Sequence, residues 1–84
     1  MTYEGWANYQ TWNVSLWINN EQPIYNEARH FMSAYMNRGV VTYAHFVDDI
    51  LLEAFGRVTP DGVSWTDPTL DHDALTSMLK EMVD

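Results

Sequence analysis

The chain predicts a mainly α fold: three or four short helices with room for a small β-hairpin, and α+β as the alternative. Three observations predict it. Apolar residues recur at helical spacing in several separate stretches. Asn8, Thr42 and Asp71 stand where helix N-caps are needed, each with a side-chain oxygen that can accept a first-turn backbone N–H. Only one short segment, "RVTPDGVSW" at 57–65, offers two β-like arms around a turn.

The first element is "ANYQTWNVSLWINNE", residues 7–21, with two tryptophans, four asparagines and no charge before Glu21. As a strand, Trp12, Val14, Leu16 and Ile18 alternate with Asn13, Ser15, Trp17 and Asn19, and only Trp17 breaks the pattern. As a helix capped by Asn8, it places Tyr9, Trp12 and Leu16 on one side and Val14, Trp17 and Ile18 on another. Thr11, Ser15 and Asn19 then form a narrow polar strip. Its length favours helix. A helix apolar around most of its circumference is expected to be buried, so Trp12, Leu16 and Trp17 are expected core residues. The lead-in, residues 1–7, contains Gly5 and reads as irregular.

Pro23 suits the first turn of a second helix, where its missing N–H costs nothing. Ile24, Ala28, Phe31, Met32 and Tyr35 supply its apolar stripe, and "NRG" closes it with Gly39. Thr42 caps a third helix with Tyr43, Phe46, Val47, Ile50, Leu51 and Ala54 facing inward, Gly56 as its stop, and His45, Asp49 and Glu53 facing out beside Asp48. The two brief arms at 57–65 need packing support to hold as a hairpin. A last helix starts at Asp71, with Leu70 and Leu75 placed as a hydrophobic staple and Met78, Leu79 and Met82 completing the stripe.

The 84 residues fit one domain, 1–84. There is no cysteine, so neither disulfides nor thiolate metal sites can reinforce it. Aromatic bulk fills that gap: each Trp, Tyr or Phe brings roughly 150–250 Å² to a core. No apolar run reaches membrane-span length, and "MTYEGWANYQ" lacks the features of a signal peptide. The host cytoplasm is the expected location, with a monomer or small homo-oligomer as the expected state. "NVS" at Asn13 reads as a chance sequon.

Charge is the most unusual feature. Twelve acids face four bases, for a formal net charge of −8. Residues 1–47 hold three of the acids and two arginines; residues 48–84 hold nine acids against Arg57 and Lys80. Such a field repels phosphates and attracts basic surfaces. The plain reading is solubility; the sharper one is a binding face built from Asp48, Asp49, Glu53, Asp61, Asp67, Asp71 and Asp73.

Catalytic and metal chemistry find little footing. His45 with Asp49, and "DHD" at 71–73, are partial ligand sets without the convergent groups a metal site needs, so no metal or cofactor is expected. From Asp67, "DPTLDHDALTSM" lacks the glycine and glutamate of an EF-hand loop. No nucleophile elbow, P-loop, zincin or dinucleotide signature is present. Asp48 and Glu53 could serve as an acid–base pair, but nothing marks a pocket around them, and no enzyme activity is expected. The aromatic segment could stack bases, but single-strand binders also need a basic groove, and Arg29, Arg38, Arg57 and Lys80 are dispersed, so no direct nucleic-acid binding is expected. One of Trp6, Trp17 or Trp65 is a candidate exposed anchor for a protein partner.

At residues 8–21 the sequence resembles a family of small proteins found in phages, plasmids and related bacterial islands. These share an N-Y-x-T-W-N-V-x-L-W-I/L-x-N-D/E signature, matched here by Asn8, Tyr9, Thr11, Trp12, Asn13, Val14, Leu16, Trp17, Ile18, Asn20 and Glu21. The resemblance implies no enzymatic activity and a setting among inhibitors of host defence, with anti-CRISPR and anti-restriction roles. Taken with the charge, it leads to the expectation of an anti-CRISPR protein, a DNA mimic. Its acidic face would occupy the basic nucleic-acid-binding surface of a bacterial defence nuclease or CRISPR effector complex. The alternative is a small accessory module that oligomerises through exposed aromatics.

Overall fold

A computed structural model describes residues 3–35 and 41–83. The fold is mainly helical, as the spacing predicts, with no strand among the described residues. Helix α1 spans Tyr9–Asn20 and α2 spans Gln22–Tyr35. Helix α3 covers residues 43–54 as a continuous run: an α-helical turn Tyr43–Phe46, a π-helical stretch Val47–Leu51 and a final turn Leu52–Ala54. Helix α4 spans His72–Glu81.

The three caps act as local chemistry requires. Asn8, Thr42 and Asp71 accept from the backbone N–H of Thr11, His45 and Ala74 respectively. At α3 the capping is reciprocal. His45 Nδ1 accepts from the Thr42 N–H, the role usually taken by a Glu or Gln. Only Glu21 separates α1 from α2; its extended backbone, ψ 110°, breaks the helix there. Gly56 ends α3 with φ +84°, and Gly62 takes φ +90° in the Pro60-Asp61-Gly62 turn, a region that side chains disfavour. Closure of α2 at Gly39 lies outside the described residues.

The predicted hairpin at 57–65 is reduced to one antiparallel bridge, Val58 with Ser64, flanked by backbone bonds from Thr59 N to Val63 O and from Trp65 N to Arg57 O. Two arms this short cannot propagate a ladder, and the segment is held by side chains instead.

The core joins all four helices and this turn. Val14 and Ile18 of α1, Ile24, Ala28, Phe31 and Met32 of α2, Tyr43, Phe46, Val47 and Leu51 of α3, and Leu75, Met78 and Leu79 of α4 close around Trp65. Phe31 and Phe46 rings meet at 5.6 Å across α2 and α3. Tyr43 ties α3 to its neighbours at both ends. Its N–H donates to Thr76 Oγ1 and its hydroxyl donates to the Trp65 carbonyl at 2.7 Å. Burial pushes the Tyr43 phenol far above its usual range, so it stays a donor. Leu70 and Leu75, the predicted staple, are both buried.

Helix α1 departs from the sequence expectation. Of the predicted polar strip, Thr11 and Ser15 face inward and are joined there by Asn13, while Asn19 is exposed; Trp12, Leu16 and Trp17 are only half-buried and Tyr9 is 40% exposed. The reason is that this polar set has partners. Thr11 Oγ1 donates to Asn8 Oδ1 and accepts the Asp71 N–H at 3.0 Å. Ser15 Oγ returns its proton to the Trp12 carbonyl. A buried hydroxyl or amide is tolerated when its bonds are made, so a satisfied polar strip can face the core and leave aromatic rings outside. In α3 the π-helical stretch inserts an extra residue per hydrogen-bonded turn, which slips the apolar stripe. Ile50 ends half-buried and Ala54 exposed, although both sit on the predicted inner face.

Candidate functional site

The signature residues of α1 form a scaffold for the turn that carries several of the carboxylates. Asn13 is wholly buried; its Nδ2 donates to Asp61 Oδ2 at 2.8 Å, and its Oδ1 accepts from Thr59 Oγ1 at 2.7 Å. Trp17 Nε1 donates to the same Asp61 oxygen at 2.9 Å. Thr59 Oγ1 in turn accepts the Val63 N–H. Further along, Asn8 Nδ2 donates to the Thr69 carbonyl. One helix thus holds the segment 59–71 at three places, and each tie uses a residue of the N-Y-x-T-W-N motif or the Trp17 that follows it.

The seven acids sort into groups. Asp61 sits against Asn13 and Trp17; bonds from Asn13 first, then Trp17, lower its carboxyl below the ordinary carboxylate range. Asp67 Oδ1 accepts from the hydroxyl and the N–H of Thr69, which likewise lowers its carboxyl. Asp71 Oδ1 caps α4. Asp67 and Asp71 thus hold backbone N–H groups, and Asp61 holds an amide and an indole. Asp48, Asp49, Glu53 and Asp73 are exposed and make no such bonds. Asp48 lines a small cleft of about 80 Å³ with Tyr43, Ala44, Val47, Trp65, Thr66 and His72. That cleft brings Asp48 next to the segment bearing Asp67, Asp71 and Asp73. Asp61 is bonded to α1, and Asp49 and Glu53 are exposed on α3. Among the described residues none of the seven is paired with an arginine or lysine.

His45 is used in capping and the His72 ring meets Tyr43 edge-on at 5.4 Å. Among the described residues no group of three or more potential ligands gathers around a point. No described helix is long and apolar enough to cross a membrane.

Two features escaped the sequence reading. Trp65 was a candidate exposed anchor; it is 1% exposed, because the brief arms at 57–65 fold it under the helices, and its buried Nε1 has no acceptor among the described residues. Trp6 and Trp17 are half-buried against the core. The exposed aromatics are Tyr3, Tyr9 and Tyr35; Tyr3 and Tyr9 meet each other and the half-buried Trp12 at 5.0–5.7 Å between centroids. The motif residues Tyr9 and Trp12 pointed to this cluster once the polar side of α1 was known to face inward.

Fold and surface together define a small, acidic, mainly α-helical domain whose distinguishing features are a set of carboxylates with no paired lysine or arginine among the described residues and an aromatic helix face. The chain belongs to a family of unknown function, DUF7249, which matches it over residues 1–84. Comparison with curated proteins and with solved structures gave no match.

Proposed function

We propose that this chain inhibits a bacterial defence nuclease, most specifically as an anti-CRISPR protein of the host cytoplasm. Its carboxylates would stand where an effector complex expects phosphates. The observation that supports the reading is that Asp48 shares a cleft with Thr66 and His72, the sequence neighbours of Asp67, Asp71 and Asp73, while Asp49 and Glu53 are exposed on α3, and no lysine or arginine pairs with these acids among the described residues. Exposed carboxylates without a bound cation steer a basic cleft into contact and compete with nucleic acid there. The reading needs no catalytic group and no cofactor: inhibition is stoichiometric. Its test is binding of the purified protein to basic effector complexes at low and high salt, with and without Asp49→Lys and Glu53→Lys. Affinity falls with salt and with charge reversal if the mimicry is real, since exposed charges are screened beyond roughly 10 Å at 0.1 M salt. Binding indifferent to both overturns it.

The Tyr3–Tyr9–Trp12 cluster favours a second reading, an accessory module that associates through its aromatics. Light scattering on the parent and on Tyr3→Ser with Tyr9→Ser decides it: an oligomer that dissociates in the double variant supports this reading, and a monomeric parent sinks it.

A further inference from the structure

A groove of about 350 Å³ opens between the end of α1 and the end of α3, lined by Glu21, Pro23, Ile24, Phe55, Val58, Thr59, Pro60 and Trp65. Its volume lies in the range of ordinary ligand sites, about 300–1,000 Å³. The floor is apolar, and Val58, 49% exposed, leaves a large aliphatic surface in water. Among the described residues the one ionisable group in the lining is a carboxylate, Glu21. Glu21 is the junction where α1 ends and α2 begins, so those two helix ends offset each other, while Phe55 is the C-cap of α3 and no basic residue stands in the last turn of α3. Helix C-termini carry partial negative charge and favour cations. Arg57, the nearest cation in sequence, is exposed, is not part of the lining and makes no ion pair with Glu21.

An apolar floor beneath a carboxylate and the negative end of α3 suits one kind of side chain: a long aliphatic stem with a cationic head. We propose that this groove receives an arginine side chain presented by a basic partner protein. The stem covers Val58 and the half-buried ring of Phe55, and the guanidinium meets Glu21 at the rim beside the end of α3. Arginine fits better than lysine because its planar, weakly hydrated head also stacks on aromatic rings. The proposal rests on the reading that the partner is basic, and it adds a specific anchor away from the carboxylates of α3 and α4.

The test uses the whole protein and two small probes, N-acetyl-Phe-Arg-amide and its neutral citrulline counterpart, followed by NMR at the Trp65 indole N–H and the Ile24 and Val58 methyls. The arginine probe shifts these signals saturably, and the citrulline probe and Glu21→Gln each weaken binding roughly two- to fivefold, the range of an exposed charge contact. Val58→Lys, at a site exposed enough to accept it, places a cation in the groove and abolishes the shifts. Equal binding of the two probes, shifts confined to other residues, or no response up to about 10 mM probe, weak even for a fragment, overturns the proposal. None of these measurements involves Asp48, Asp49, Glu53 or Asp73. Loss of salt-sensitive effector binding with an intact groove therefore defeats the mimicry alone, and an inert groove with intact effector binding defeats only this inference.

Discussion

Replacing Asn13 by Asp changes one atom in a side chain that ties α1 to the 59–61 turn. Asn13 is fully buried, donates to Asp61 Oδ2 at 2.8 Å and accepts from Thr59 Oγ1 at 2.7 Å. The aspartate keeps the acceptor for Thr59 but turns the donor into an oxygen facing the Asp61 carboxylate. One charge-assisted bond is lost, worth about 1.5–3 kcal/mol, and a second charge is buried without a partner. The expected total is about 3–5 kcal/mol, the usual result of leaving a buried charge uncompensated. An 84-residue domain has only about 4–13 kcal/mol of stability in all. Urea unfolding followed by near-UV circular dichroism at pH 7 measures the loss, and Tm falls by more than about 12 °C at about 4–8 °C per kcal/mol. Two carboxylates in contact cannot both ionise readily, so the variant regains stability between pH 7 and pH 5 as the pair takes up a proton. Adding Asp61→Asn exchanges donor and acceptor across the contact and restores at least half of the loss. A single variant that loses under about 1 kcal/mol, or a double variant no more stable than the single, refutes the assignment of Asn13 as the tie between α1 and the turn.

Three further outcomes follow from the same contacts. Tyr43→Phe leaves the Trp65 carbonyl without its buried donor and costs about 1–3 kcal/mol in urea titration. Bonds depress the carboxyls of Asp61 and Asp67, so their contribution is complete above the unfolded value near 3.9 and is lost as pH falls through the lower folded values. Acid titration of Asp61→Asn and Asp67→Asn therefore shows a shallower loss of stability below about pH 4 than the parent does. Asp49→Lys with Glu53→Lys, on the exposed face of α3, changes folding stability by no more than about 0.5 kcal/mol per site, so reduced effector binding in that variant reports on the surface and not on the fold.

The elements set by neighbours in sequence could be read from the chain alone. A cap is a contact across three residues, and Asn8, Thr42 and Asp71 announce their helices without reference to anything distant. Gly56 and the Pro60-Asp61-Gly62 turn are equally local. What could not be read depends on groups far along the chain. The side of α1 that faces the core is decided by Asp61, Thr59 and Asp71, which lie 46 to 60 residues from the Asn13 and Thr11 they satisfy. Without those partners Asn13 and Thr11 look like surface residues, and Trp12 looks like core. The π-helical stretch has no residue signature either, so the slip of Ile50 and Ala54 was invisible. For the candidate surface, the sequence named the acids. It could not show that Asp61, Asp67 and Asp71 also hold backbone and indole groups, nor that Asp48 lies beside Thr66 and His72.

Because α1 finds its polar partners so late, synthesis leaves it waiting. Asn8 and the Thr69 carbonyl are 61 positions apart, and a ribosome adding about 5–20 residues per second needs roughly 3–12 s to bridge them. Over that interval the nascent helix has neither its amide contacts nor its cover, and its tryptophans are open to chaperones. Chains stopped short of Asp71 have no route to the native arrangement of their first twenty residues, so premature termination yields a substrate for degradation and not a smaller working protein.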